Sequence, residues 1–260
     1  MNDRVSITVA DHIADVRLTR PDKMNALDPA MFEGIAAVID ELAMMQDVRI
    51  VVLSGEGRGF CAGLDMGSMA TGGSGLDLAE RPWNGANLVQ QVSIGWRALP
   101  MPVIAAVHGV ALGGGFQIMS GADIRIAAPG TRFAIREAHW GLVPDMGGIA
   151  LWRTLARDDV LRELTYTARE FLAEEALGHG FITRIADEPR AAALALARDI
   201  AGRNPEAVRG SKRLYNLAVD AGTAAILAAE TVEQLKVIRQ PNQVEAVRAN
   251  MEKRPAVFRD

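Results

Sequence analysis

Residues 102–117 read PVIAAVHGVALGGGFQ, and the order of these sixteen residues decides the fold. An apolar run of strand length stops at His108–Gly109, a short second apolar step follows, and three glycines then lead into the helix-like FQIMSGA. An apolar run without alternation predicts a strand covered on both faces. Glycine lets a backbone approach another group closely, and a helix start leaves N–H groups without intrahelical partners. The stretch therefore predicts a buried strand, a tight turn and a short helix, with unused backbone donors at the turn.

Working outward, DIRIAA (123–128) reads as the next strand. From 133 the strand, glycine turn and helix order returns in RFAIREAHWGLVPDMGG. Upstream, LSGEGRGFCAGLD (53–65) is a second glycine-containing turn after a buried strand, VRIVVLSG. This repeated order predicts stacked β-β-α units. VSITV (5–9) and IADVRL (13–18) predict a hairpin around Ala10–His12. Asp28–Pro29 supplies an N-cap and a first-turn proline for the helix AMFEGIAAVIDELAMM. Residues 66–86 are Gly- and Ser-rich and predict a mobile loop. A helix is expected over about 87–98, closed by Pro100 and Pro102. From about 187 the pattern is almost wholly helical. The expected division is a core of residues 1–190 and a helical region of residues 191–260.

With 49% hydrophobic and 23% charged residues, the 260-residue chain has an ordinary globular composition. A net charge of −4 without a Lys/Arg run excludes a basic nucleic-acid footprint. The lone Cys61 excludes an intramolecular disulfide framework. The absence of a long apolar run or leader pattern predicts a cytoplasmic protein that does not cross a membrane.

Nucleotide-binding P-loops, dinucleotide GxGxxG turns, serine elbows and HExxH metal sites are all missing from the sequence. The histidines (12, 108, 139 and 179) lack metal-ligand spacing, so no metal is expected. Chemistry must then come from backbone amides and carboxylates. Two N–H groups converging on one carbonyl oxygen would form an oxyanion hole.

Four blocks in order, RPDKMNAL (20–27), GRGFCAGLD (57–65), AAVHGVALGGGFQ (105–117) and REAHWGLVPDMGG (136–148), resemble the crotonase superfamily, the enoyl-CoA hydratase/isomerase family. EEALGHGFITRI (174–185) resembles a further block of that family, so the likeness spans nearly the whole chain. The resemblance implies an α/β fold, a crotonase-type spiral of β-β-α turns with a C-terminal helical region for oligomerisation. It implies an acyl-CoA thioester substrate, no separate cofactor, and assembly as a homotrimer or dimer of trimers.

The resemblance also implies roles. Oxyanion N–H groups are expected at Ala62 and Gly114, with coenzyme A lying along Lys23, Met24, Ala26, Leu64 and Asp65. Lys23 reads equally as a solvated surface lysine, and Asp65 as a structural turn residue. Glu137 occupies a catalytic position of the family. Gln117 stands where the family's hydratases carry Glu; Gln can position water but cannot exchange a proton at neutral pH. Asp145 is similar to the extra carboxylate of the dienoyl-CoA isomerase branch, and reads equally as a cap for a helix starting near Gly147. One base suffices to move a double bond, so an isomerase is the first expectation. A hydratase is the second, and a non-catalytic acyl-CoA- or RNA-binding relative the third. Met66, Met69, Trp83 and Trp96 are candidates for the pocket border, or for core and loop roles.

Overall fold

The computed structural model describes residues 3–67 and 76–260. The predicted hairpin is present: β1 (Val5–Ala10) pairs antiparallel with β2 (Ile13–Leu18). Asp28 caps α1 (Pro29–Met44) by accepting the Met31 N–H at 2.9 Å. β3 (Ile50–Gly55) and β4 (Val103–Val107) follow as parallel neighbours, with α2 (Leu88–Ala98) between them in sequence. Asn87 and Gln90 form a capping box at the start of α2. Part of the loop expected over 66–86, including Met69, lies outside the described residues.

The rest of the core repeats one step. β4 lies in the large sheet, β5 (Val110–Leu112) in a smaller one, and α3 (Gly114–Ser120) returns the chain. β6 (Ile124–Ala127) then joins the large sheet and β7 (Arg132–Ala134) the small one. β8 (Phe171–Leu172) and β9 (Arg184–Ile185) complete the orders β1-β2-β3-β4-β6-β9 and β5-β7-β8. The Cys61 segment makes a bridge to Ala111, so the turn after β3 sits beside β5 as the previous step of the same spiral.

The two faces of the large sheet separate by strand alternation. Val51, Leu53, Val103 and Ala105 face the main core with α1 and α2. Ile50, Val52, Ile104, Ala106 and Ile126 face the other way, onto α7 (Pro189–Ala201). That helix meets them with Ala193, Ala197 and Ala201, a four-residue spacing whose small side chains allow close approach to the sheet. Because these strands are covered on both faces, they read as continuous apolar runs. The main core also holds Phe116 with Phe133, Phe171, Phe181 and Trp152 around it at ring separations of 5.1–5.9 Å.

α4 (Gly148–Trp152) and α5 (Asp158–Thr167) lie between β7 and β8 in sequence, and α6 (Ala173–His179) lies between β8 and β9. The C-terminal helices are α8 (Pro205–Leu217), α9 (Thr223–Val237) and α10 (Pro241–Glu252). α8 is fastened through buried Lys212. Its ammonium donates to the Trp96 and Met101 carbonyls at 3.2 and 2.8 Å and pairs with Asp123 at 2.8 Å. Burial lowers the Lys212 pKa, and Asp123 opposes that shift. Removing Lys212 leaves the half-buried Asp123 with Arg97, at 4.0 Å, as its remaining cation among the described residues. Lys212→Met is therefore expected to cost roughly 3 kcal/mol in urea unfolding. A loss too small to resolve would show that α8 docks without the pair. No described helix is long and apolar enough to cross a membrane.

Candidate active site

The first glycine turn is built from three chain segments. Phe60 and Cys61 donate backbone N–H bonds to His108 and Val110 at 2.9 and 3.1 Å, and Leu112 donates to Cys61 at 3.1 Å. On its other side, Leu27 donates to Gly63 at 2.8 Å and Asp65 donates to Leu27 at 3.0 Å. The 20–27 segment is shaped for this by left-handed backbone at Met24 and Asn25, with φ of 48° and 55°. Asn25, fully buried, ties the two turns together. Its Nδ2 lies 3.0 Å from each of the Glu56, Gly59 and Phe60 carbonyls, and its Oδ1 accepts the Arg20 N–H at 2.8 Å. Sequence reasoning missed this residue. The available signal was an asparagine, a residue that tolerates left-handed backbone, inside a tight turn.

The donor expected at Ala62 is not free. Its N–H donates to the Met24 carbonyl at 2.9 Å. Two residues on, the Leu64 N–H makes no hydrogen bond to the described residues, nor does the Gly114 N–H at the start of α3. The two turns are in close apposition: a Cβ on Gly63 would lie 3.6 Å from the Gly114 nitrogen. Leu64 and Gly114 border one cavity of about 230 Å³, together with Met66, Glu137, Asp145 and Met146. Ala62 lines the same cavity, although its amide points elsewhere.

Among the other residues expected near the first turn, Lys23 is exposed, Met24 partly buried and Ala26 buried. Asp65 pairs with Arg20 at 2.7 Å and accepts the Gly67 N–H at 2.9 Å. Arg20 in turn donates to the Ala26 carbonyl at 3.0 Å. Asp65 thus braces the turn, the structural role that its position allowed. Met66 lines the cavity, whereas Trp96 is core and Trp83 donates to Asp40 at 3.0 Å. Cys61 is buried, and burial pushes its thiol up to about 12, which leaves it un-ionised. Its sulfur lies 3.1 Å from the Asn25 carbonyl oxygen as donor.

Glu137 opens a short 3-10 turn (Glu137–Trp140) after β7 and is only 7% exposed. It is neither a surface cap nor a partner of Arg136, whose guanidinium faces the Ala168 carbonyl and Glu170. A Cβ on Gly113 would lie 3.5 Å from Glu137 Oε1, which sets the carboxylate against the second donor turn. Gln117 Nε2 donates to Oε1 at 2.6 Å, while Oε2 is buried with no partner among the described residues. Burial raises the Glu137 pKa above the usual carboxylate range. Hydrogen bonds from its own backbone and Gln117 oppose this, and Asp145 adds to it.

Gln117, one turn into α3, is fully buried. Besides bonding Glu137, its Oε1 accepts the Met146 and Gly148 N–H groups at 3.1 and 2.9 Å. Asp145 does not cap α4; Gly147 holds the N-cap position, with no side-chain cap bond. Its carboxyl borders the cavity, and partial burial raises its pKa. Among the described residues no group of three His, Cys, Asp or Glu side chains is gathered as for a metal ion.

A spiral of β-β-α turns that sets two backbone donors, unpartnered among the described residues, on one cavity with a buried carboxylate is the architecture of a crotonase-fold enzyme. Comparison with known proteins agrees with it. The enoyl-CoA hydratase/isomerase family model matches residues 8–260. The mouse mitochondrial Delta(3,5)-Delta(2,4)-dienoyl-CoA isomerase is 32% identical over 263 residues, covering 97% of this chain and 80% of its own. The crystal structure of an enoyl-CoA hydratase from Bacillus anthracis superposes with a TM-score of 0.89 at 28% identity, covering 98% of both chains. That of an enoyl-CoA hydratase from Mycobacterium tuberculosis H37Rv gives 0.86 at 28% identity, covering 99% of both. The chain belongs to the enoyl-CoA hydratase/isomerase family.

Proposed function

We propose that the protein is an enoyl-CoA isomerase, moving a carbon–carbon double bond next to a thioester with Glu137 as the base. The observation that carries this reading is that Glu137, whose buried Oε2 has no partner among the described residues, borders one cavity with Leu64 and Gly114, whose amides bond to none of those residues. Oε2 removes a proton from C2 of a 3-enoyl-CoA. The electron pair moves onto the thioester oxygen, where the Leu64 and Gly114 N–H groups stabilise it without reorganising. The protonated Glu137 then returns its proton at C4, leaving the double bond between C2 and C3. No cofactor beyond the coenzyme A of the substrate is required.

Hydration by two carboxylates is disfavoured by Gln117. Its carbonyl accepts from Met146 and Gly148 and its amide donates to Glu137, and a carboxamide in these bonds exchanges no proton. Asp145 favours a dienoyl variant of the same chemistry, since it brings a second carboxyl with a raised pKa to the cavity. We further propose assembly as a homotrimer or dimer of trimers through residues 191–260. Exposed Leu227, Leu235, Val244 and Met251 on the last two helices support it.

The test is turnover on 2-enoyl, 3-enoyl and 3,5-dienoyl CoA esters by the parent and by Asp145→Asn. The expected result is double-bond migration as the main reaction. Losing Asp145 should slow the dienoyl substrate by ~10²-fold or more while sparing the 3-enoyl substrate. Hydration of a 2-enoyl ester as the main reaction would overturn the isomerase reading.

A further inference from the structure

We propose that Gln117 is a positioning residue: its amide holds Glu137 by Oε1, so that Oε2 is the oxygen left to take the proton, and it locks the 145–148 turn in the same act. The inference rests on Glu137 being the base. One buried side chain makes three bonds in opposite senses, donating to Glu137 Oε1 at 2.6 Å and accepting from Met146 and Gly148 at 3.1 and 2.9 Å. The two backbone donors on one side require an oxygen there, which fixes the amide orientation. Gly148 allows the approach. A Cβ there would fall 2.7 Å from Gln117 Oε1 and 2.5 Å from the Trp152 ring.

An amide satisfies both sides without an added proton. A carboxylate at 117 accepts the two N–H groups but offers Glu137 no hydrogen, and a lysine donates but cannot accept. Two carboxylate oxygens at that separation would have to share a proton. Gln117 therefore does two things for the base. It occupies Oε1, leaving Oε2 as the reactive oxygen, and it favours the ionised form that burial opposes. Of the charged and titratable groups near Glu137, Asp145 across the cavity disfavours ionisation. Arg136 is turned toward Glu170, and His139 packs on Trp140.

The experiment compares the parent with Gln117→Met, which keeps length but neither donates nor accepts. Glu137 is titrated directly by difference infrared spectroscopy of its carboxyl band, identified by its loss in Glu137→Gln. The kcat/KM pH profile on a 3-enoyl ester is recorded in parallel. The expected result is an upward move of the Glu137 midpoint by about one pH unit, from the loss of one hydrogen bond to a charged acceptor. The acid limb of the rate profile should follow it. Gln117→Glu, which retains the two backbone bonds, serves should the Met variant not fold; its midpoint should rise further, because the pair shares a proton. A folded Gln117 variant whose Glu137 midpoint stays at the parent value overturns the positioning role. A midpoint that moves without the acid limb instead overturns Glu137 as base, and with it the catalytic meaning of the bond.

Discussion

Replacing Glu137 with Gln is expected to lower turnover by ~10²–10⁴-fold while leaving acyl-CoA affinity nearly unchanged. The same change should make the folded protein more stable at neutral pH. Burial is the main reason that the Glu137 carboxyl titrates above its ordinary range. A carboxyl whose folded pKa lies above its unfolded value contributes stability fully at low pH. That contribution is lost as pH rises from the unfolded value through the folded one. Glutamine keeps the shape and has no charge to bury, so the variant avoids that loss. Thermal unfolding should show the two proteins alike in acid and the variant ahead at neutral pH. Parent-level turnover on every substrate would remove Glu137 from the mechanism. A stability gap that is widest in acid would remove the account of its burial.

The second large effect is expected from one methyl group. A Cβ at Gly115 would lie 2.4 Å from the Cys61 carbonyl oxygen and 2.8 Å from its Cβ. Both belong to the turn that carries the Leu64 amide, and neither is a flexible tip that can swing aside. Gly115→Ala must push α3 away from the first turn, which separates the two donors. The expected outcome is a stability loss of roughly 1–3 kcal/mol in urea unfolding. The fall in kcat/KM should be ~10²–10³-fold, the scale of one lost oxyanion donor. Gly114→Ala is the control. Its Cβ would meet the ends of Leu27 and Met146, at 2.7 and 2.8 Å, which can move, so its effects should be smaller. Equal, small effects at both positions would show that the Gly115–Cys61 contact does not set the geometry.

Much of the fold is legible before any coordinates. The hairpin, the Asp28–Pro29 helix start and the buried strands at 50–55 and 103–107 all follow from local pattern and turn chemistry. Glu137 and Gly114 come from the motif blocks, and the cavity brings both together. The donor at Leu64 was not legible. Which amide of a turn stays free depends on which ones a distant segment takes, and here the Met24 carbonyl takes that of Ala62. The partners of Gln117 were not legible, because the sequence shows a polar side chain but not which groups of residues 137–148 surround it. Asn25 was overlooked for a similar reason: its acceptors lie 31 to 35 residues away.

The buried Cys61 thiol, wedged where the three segments of the first turn meet, makes the protein its own recorder of breathing motions. An alkylating reagent cannot reach the sulfur in the closed form, and a thiol held up near 12 would react slowly even if reached. Labelling must therefore wait for a local opening that frees residues 60–65. When reclosing is fast, the observed rate divided by that of an unhindered thiol gives the opening equilibrium constant, with each tenfold retardation equal to about 1.4 kcal/mol. With a single cysteine in the chain, that number belongs to the donor turn alone. Bound thioester should slow the labelling further, and the extra delay measures how firmly substrate holds the turn shut.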